Sequence, residues 1–150
     1  MLCNLCPRQC NALRTADRNI GGVCGMPTEP HVARAALHFW EEPSISGKNG
    51  SGTVFFSGCS LHCVFCQNEV ISTQNSGKQM SVGGLADVFK KLESQGAHNI
   101  NLVTPTHFVD AVISALDIYK PKIPIVYNSS GYENTETIKK LKDYIDIYLM

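Results

Sequence analysis

The sequence predicts an α/β fold in which an antiparallel strand pair leads into a parallel sheet with helices outside, the layout of part of a barrel. Three observations predict it. Apolar runs of strand length recur at residues 53–56, 99–103, 125–127 and 144–150. Segments with apolar residues at helical spacing separate these runs. The connections are short and carry capping residues, glycine or proline, so successive strands join through right-handed β-α-β units.

Length and composition narrow the possibilities further. A chain of 150 residues suits one domain with a core of ordinary size. Lys and Arg number 13 against 13 Asp and Glu, and no basic run exceeds two residues, so neither nucleic acid nor an anionic membrane is expected as a partner. Residues 1–20 are polar and carry cysteines rather than an apolar core, which is neither a signal peptide nor a spanning helix. Seven cysteines at short spacings, without an export signal, read as metal ligands in a reducing cytoplasm.

Residues 1–30 form a cysteine-rich segment, with Cys3, Cys6 and Cys10 close together and Cys24 within Gly21-Gly22-Val23-Cys24-Gly25. Few apolar residues accompany them, so a metal rather than a hydrophobic core is expected to hold the segment. Four thiolates complete a site; structural zinc and an auxiliary iron-sulfur cluster both use that set. Arg8 reads as a solvated or sulfur-facing cation.

Residues 31–150 hold the α/β unit. Residues 31–40 are apolar and partly alternating, a strand that Pro43 ends. Asn49-Gly50 is a hairpin turn signal, which pairs this strand antiparallel with residues 53–56. The glycine-rich stretch 46–52 resembles a phosphate-cradling loop only superficially, because Lys48 is followed by Asn49. His31, His38, Glu41 and Glu42 read as structural or solvated.

The strand 53–56 runs into Ser57-Gly58, where glycine lets the backbone leave the sheet just before Cys59. Cys59, Cys63 and Cys66 follow at intervals of four and three residues, on a loop that can wrap a compact metal centre. Three ligands leave one coordination position open, as catalytic sites require. The alternatives are a zinc knuckle completed by His62 or a remote residue, and a disulfide with a spare thiol. His62 adjoins Cys63 in sequence, so reaching the same ion would be strained.

Ser81 is placed to cap a helix over 82–95 that puts Leu85, Val88, Phe89 and Leu92 on one face, with Gly96 beyond its end. Thr106 is placed to cap the next helix, His107 being its first residue, either in a site or exposed, and Phe108, Val109, Val112, Ile113, Leu116 and Tyr119 its apolar stripe. Asn134 is placed to cap a third helix carrying Ile138 and Leu141. Ligands of parallel α/β folds sit at the carboxyl ends of the strands. Three segments should therefore converge: the cysteine loop, residues 104–107 and residues 128–131.

Four stretches together carry a resemblance to a known family: Cys-Asn-Leu-Cys-Pro-Arg-Gln-Cys from Cys3, Gly-Ser-Gly-Thr-Val-Phe-Phe-Ser-Gly-Cys-Ser-Leu-His-Cys-Val-Phe-Cys-Gln-Asn from Gly50, Asn-Leu-Val-Thr-Pro-Thr-His-Phe from Asn101, and Val-Tyr-Asn-Ser-Ser-Gly-Tyr-Glu from Val126. The chain resembles radical S-adenosylmethionine (SAM) proteins related to pyruvate formate-lyase activating enzyme. That resemblance implies a partial (β/α)6 radical-SAM barrel, here truncated after about four strands, because residues 144–150 end as an apolar strand without a turn or cap. It implies a 4Fe-4S cluster held by Cys59, Cys63 and Cys66, with SAM chelating the fourth iron and Phe65 contacting adenine. Thr104, Thr106, His107, Asn128 and Ser130 fall where the family binds SAM, Thr104-Pro105-Thr106 standing where activating enzymes carry Gly-Gly-Glu.

The activity so implied is reductive cleavage of SAM to methionine and a 5′-deoxyadenosyl radical that abstracts hydrogen. An electron donor such as flavodoxin or ferredoxin would be needed, and the partner would be a glycyl-radical enzyme or another protein substrate. Two other classes of function compete: an iron-sulfur module for electron transfer or redox sensing, and a zinc-binding interaction domain.

Overall fold

A computed structural model describes residues 2–150. The amino-terminal segment is a small antiparallel sheet of β1 (Leu2–Cys3), β2 (Ala12–Arg14) and β3 (Asn19–Ile20). The chain continues through β4 (His31–His38), α1 (Pro43–Ser46), β5 (Ser51–Phe56), α2 (Glu69–Ser72), β6 (Lys78–Gln79) and α3 (Val82–Ser94). Then come β7 (Ile100–Val103), a 3-10 turn at Thr106–Phe108, α4 (Val109–Ile118), β8 (Ile125–Asn128), α5 (Thr135–Leu141) and β9 (Ile147–Leu149).

Six strands form one mixed sheet in the order β6-β4-β5-β7-β8-β9. The expected antiparallel entry is present, β4 against β5, and β5, β7, β8 and β9 run parallel through helical crossovers. The sheet is mixed rather than a clear barrel, because β6 and β4 add antiparallel strands to its first edge. The turn at Asn49-Gly50 is not a tight hairpin. Proline starts the one-turn helix α1 between the strands, and Ser51 and Asn99 fasten it: the Ser51 hydroxyl donates to Asn99 Oδ1 (2.7 Å) and Asn99 Nδ2 to the Ile45 carbonyl (2.6 Å).

The core lies between the parallel strands and the helices. Val54, Phe56, Ile100, Leu102, Ile125 and Tyr127 from the strands meet Leu85, Phe89 and Leu92 of α3, Val109, Val112 and Leu116 of α4, and Leu141 of α5. Each fully buried side chain of this kind contributes about 1.5–3 kcal/mol relative to exposure. Ser81 caps α3 as its spacing requires, accepting a hydrogen bond from the Gly84 amide at 3.1 Å. The other two caps differ. Thr106 lies inside the 3-10 turn, with Pro105 before it, and its hydroxyl donates to Glu133; Asn134 precedes α5 but its amide donates to the Asn4 carbonyl. Both side chains serve longer-range contacts instead of their own helices. Among the described residues no helix is long and apolar enough to cross a membrane.

Candidate functional site

The site begins where β5 leaves the sheet. Gly58 adopts φ +79, a left-handed conformation glycine reaches without a Cβ clash, and its amide donates to the Ile71 carbonyl at 3.0 Å. The loop that follows exposes Cys63 and half-buries Cys59 and Cys66. The Leu61 amide lies 3.4 Å from Cys59 Sγ, and Cys66 Sγ lies 3.4 Å from the Ser72 hydroxyl. Phe65 is 84% exposed and Val64 fully so; Phe65 therefore does not shield the thiols, and its ring is free to stack on a ligand.

Among the described residues no group of three or more His, Cys, Asp or Glu is gathered tightly enough to hold a single ion. The donor set nevertheless suits a cluster. A cubane is wider than one ion, so its thiolates need not meet at a point, and three accessible thiols with a neighbouring amide aimed at one sulfur match its demands. His62 has a buried Nε2 without a hydrogen-bond partner and joins no such group.

The carboxyl ends of the parallel strands bring the expected segments together. Thr104 pairs with β8 through its amide, 2.9 Å from the Asn128 carbonyl, and holds φ +55. That conformation is a genuine outlier for a β-branched residue, and strain of this kind clusters at ligand sites. Asn128 is half-buried and Ser130 exposed, both beside this turn.

His107 and Thr106 take positions the sequence does not reveal. His107 is 2% exposed, not an exposed first helical residue. Its Nε2 lies 2.7 Å from the Ser57 carbonyl; since a carbonyl only accepts, Nε2 carries the proton and Nδ1 is bare. The ring thus braces the strand end that launches the cysteine loop and is committed there. Burial, aided by Arg14 and His31, lowers its pKa from 6.5 to about 4, against the opposing bond to Ser57. A depressed histidine pKa means stability present above 6.5 and lost as the pH falls through that value toward 4, because only the unfolded chain takes up the proton. The loss should approach about 3 kcal/mol across that window. Urea unfolding at pH 7 and pH 5 should show about 2 kcal/mol of it in the natural protein, and His107→Gln should remove most of the pH dependence; equal pH slopes would show the ring titrates normally.

Glu133 was not singled out by sequence reasoning. The Thr106 hydroxyl donates to its Oε1 at 2.7 Å, while Oε2 and the buried Tyr127 hydroxyl remain without a hydrogen bond. Burial raises its pKa despite the nearby Thr106, Ser129 and Tyr127 hydroxyls. The signal was faint: a lone carboxylate after Ser130-Gly131-Tyr132, next to a helix start. Thr106, 4% exposed, joins two strand-end loops through this bond.

Of the four amino-terminal thiols, Cys6 and Cys24 are buried and Cys3 and Cys10 half-buried. Burial raises the pKa of Cys6, and Cys3 and Cys10 add to the rise; burial likewise raises that of Cys24, with smaller contributions from Cys3 and Cys6. Arg14 is buried beneath them, donating to the Met26 and His107 carbonyls (2.9 and 2.8 Å), to that of Pro27, and to Cys3 Sγ (3.4 Å). Arg8 is exposed, as a solvated cation is, and its guanidinium reaches the carbonyls of Ser60 and Leu61 in the cysteine loop rather than a thiol.

This cysteine loop at a parallel strand's end is the hallmark of an iron-sulfur family. The Radical SAM superfamily model matches residues 53–150, and the chain belongs to that superfamily. It is also 30% identical over 156 residues to Uncharacterized protein MJ0674 of Methanocaldococcus jannaschii, covering 98% of this chain and 44% of that protein. The chain thus spans less than half the length of that relative. No solved structure matches it. The superfamily implies a 4Fe-4S cluster and SAM, and radical chemistry that begins with SAM cleavage.

Proposed function

We propose that the chain cleaves SAM reductively and directs the resulting radical to hydrogen abstraction, with a glycyl-radical enzyme as one candidate substrate. The observation that carries this reading is the loop of Cys59, Cys63 and Cys66 launched from the carboxyl end of β5, within the region matching the superfamily. When bound, the cluster and SAM supply the electron transfer and the carbon-sulfur bond cleavage. The protein's residues hold and place these groups. Cys59, Cys63 and Cys66 would hold the cluster, and the exposed Phe65 ring would stack on adenine. Thr104, Asn128 and Ser130 offer backbone and side-chain polar groups to SAM at the neighbouring strand ends. His107 and Thr106 support those loops from beneath. A flavodoxin or ferredoxin would deliver the electron.

The spacing of Cys3, Cys6, Cys10 and Cys24 along the chain is the ground for proposing a second, four-thiolate site for zinc or an auxiliary cluster. Electron paramagnetic resonance of the anaerobically reconstituted, reduced protein tests the main reading. Addition of SAM should change the cluster signal, and 5′-deoxyadenosine should accumulate with dithionite. A cluster signal indifferent to SAM would favour an electron-transfer module; bound zinc with no cluster would sink the enzyme reading.

A further inference from the structure

We propose that Arg8 is a positioning residue for the cluster loop, holding the Ser60–Leu61 peptide so that its amide faces the Cys59 sulfur; this rests on the radical SAM reading above. Arg8 Nε donates to the Ser60 carbonyl at 2.7 Å and Nη2 to the Leu61 carbonyl at 3.3 Å. The Leu61 amide, 3.4 Å from Cys59 Sγ, belongs to the same planar trans unit as the Ser60 carbonyl. Carbonyl and amide of one such unit point in opposite directions. A guanidinium pinning the carbonyl on one side therefore aims the amide at sulfur on the other.

The arm that carries Arg8 is itself anchored. Cys6 is buried and its carbonyl accepts from the Gln9 amide at 3.1 Å, which closes a turn around Pro7 and Arg8. Just upstream, the Leu5 carbonyl accepts from the Thr137 hydroxyl (2.6 Å) and the Asn4 carbonyl from Asn134 (2.8 Å). The cysteine-rich segment is thus a brace between α5 and the cluster loop. Arginine suits the task because its planar fork serves two carbonyls at once, which a lysine ammonium on a flexible stem does less well.

The consequence is electrochemical. Reduction adds negative charge to a cluster, and both a hydrogen bond to sulfur and a nearby cation favour the more negative state. Arg8 should therefore raise the cluster's reduction potential. The test is a potentiometric titration of the reconstituted full chain, followed by electron paramagnetic resonance, for the natural protein, Arg8→Gln, Arg8→Lys and Arg18→Gln. Arg18 is exposed and pairs with Asp17 (3.6 Å) away from the loop, so it controls for net charge.

Arg8→Gln should keep its iron yet shift to a more negative potential, Arg8→Lys should fall between, and Arg18→Gln should match the natural protein. An Arg8→Gln potential equal to the natural one, or an equal shift in Arg18→Gln, would overturn the proposal. Should Arg8→Gln fail to load iron, Arg8→Lys carries the test, and a natural potential there overturns it. A cluster that forms normally with unchanged Arg8 variants sinks the role of Arg8 alone, whereas no cluster in the natural protein sinks the family reading as well.

Discussion

Cys59→Ala should lose the cluster and, with it, SAM cleavage by more than about a hundredfold, since even partners standing behind metal ligands cost 10–100-fold when removed. Cys59 is the first residue past the glycine turn, and the amide of Leu61 faces its sulfur. The two thiols left, Cys63 and Cys66, are three residues apart on an exposed turn and would leave a second iron without a protein ligand. Iron analysis and 5′-deoxyadenosine assay of the reconstituted variant measure the effect. Folding should barely change, because the thiol is half-exposed and surface substitutions stay within about 0.5 kcal/mol. A SAM-responsive cluster signal persisting in Cys59→Ala would remove this cysteine from the ligand set.

Gly58→Ala should act on the fold and on the cluster together. At φ +79 an alanine pays roughly 1–2 kcal/mol for the left-handed backbone. Its Cβ would also meet Met26 Cγ, and would stand 2.7 Å from the Cys24 carbonyl oxygen and 3.3 Å from His107 Nε2. The carbonyl is backbone and cannot swing aside, so overpacking adds about 1–3 kcal/mol. The expected total is about 2–5 kcal/mol, read as a lower urea midpoint. Iron loading should fall too, because relief of the clash moves the turn that aims Cys59. Natural stability and loading in Gly58→Ala would mean that the amino-terminal segment does not pack on this turn.

Much of the site was legible because its information is local. Gly58, Cys59, Cys63 and Cys66 lie within nine residues, and the spacing of thiols on one loop needs no knowledge of the rest of the chain. The strand and helix order was equally plain, since Ser81, Gly96 and the apolar faces of α3 and α4 act over a few turns. Where local signals misled, a distant partner had taken the side chain. Thr106 was free to cap a helix until Glu133 accepted its hydroxyl, and Asn134 until the Asn4 carbonyl did. His107 read as a first helical residue, turned to a ligand or exposed, because the groups that bury it, the end of β5 and the segment around Arg14 and Met26, arrive from far along the chain.

The sequence by itself determined the α/β alternation, the antiparallel entry strand, the three-thiol loop at a strand's carboxyl end and the radical SAM superfamily to which the chain belongs. Hydrophobic periodicity, turn chemistry and ligand spacing are all short-range properties, and a chain carries them before it folds. Only the tertiary structure decided that the sheet is mixed, that His107 braces the cluster loop instead of facing solvent, and that Arg8 grips a peptide 52 residues away. Contacts of that reach depend on how the amino-terminal segment lies across the strand ends, and no local pattern encodes that packing.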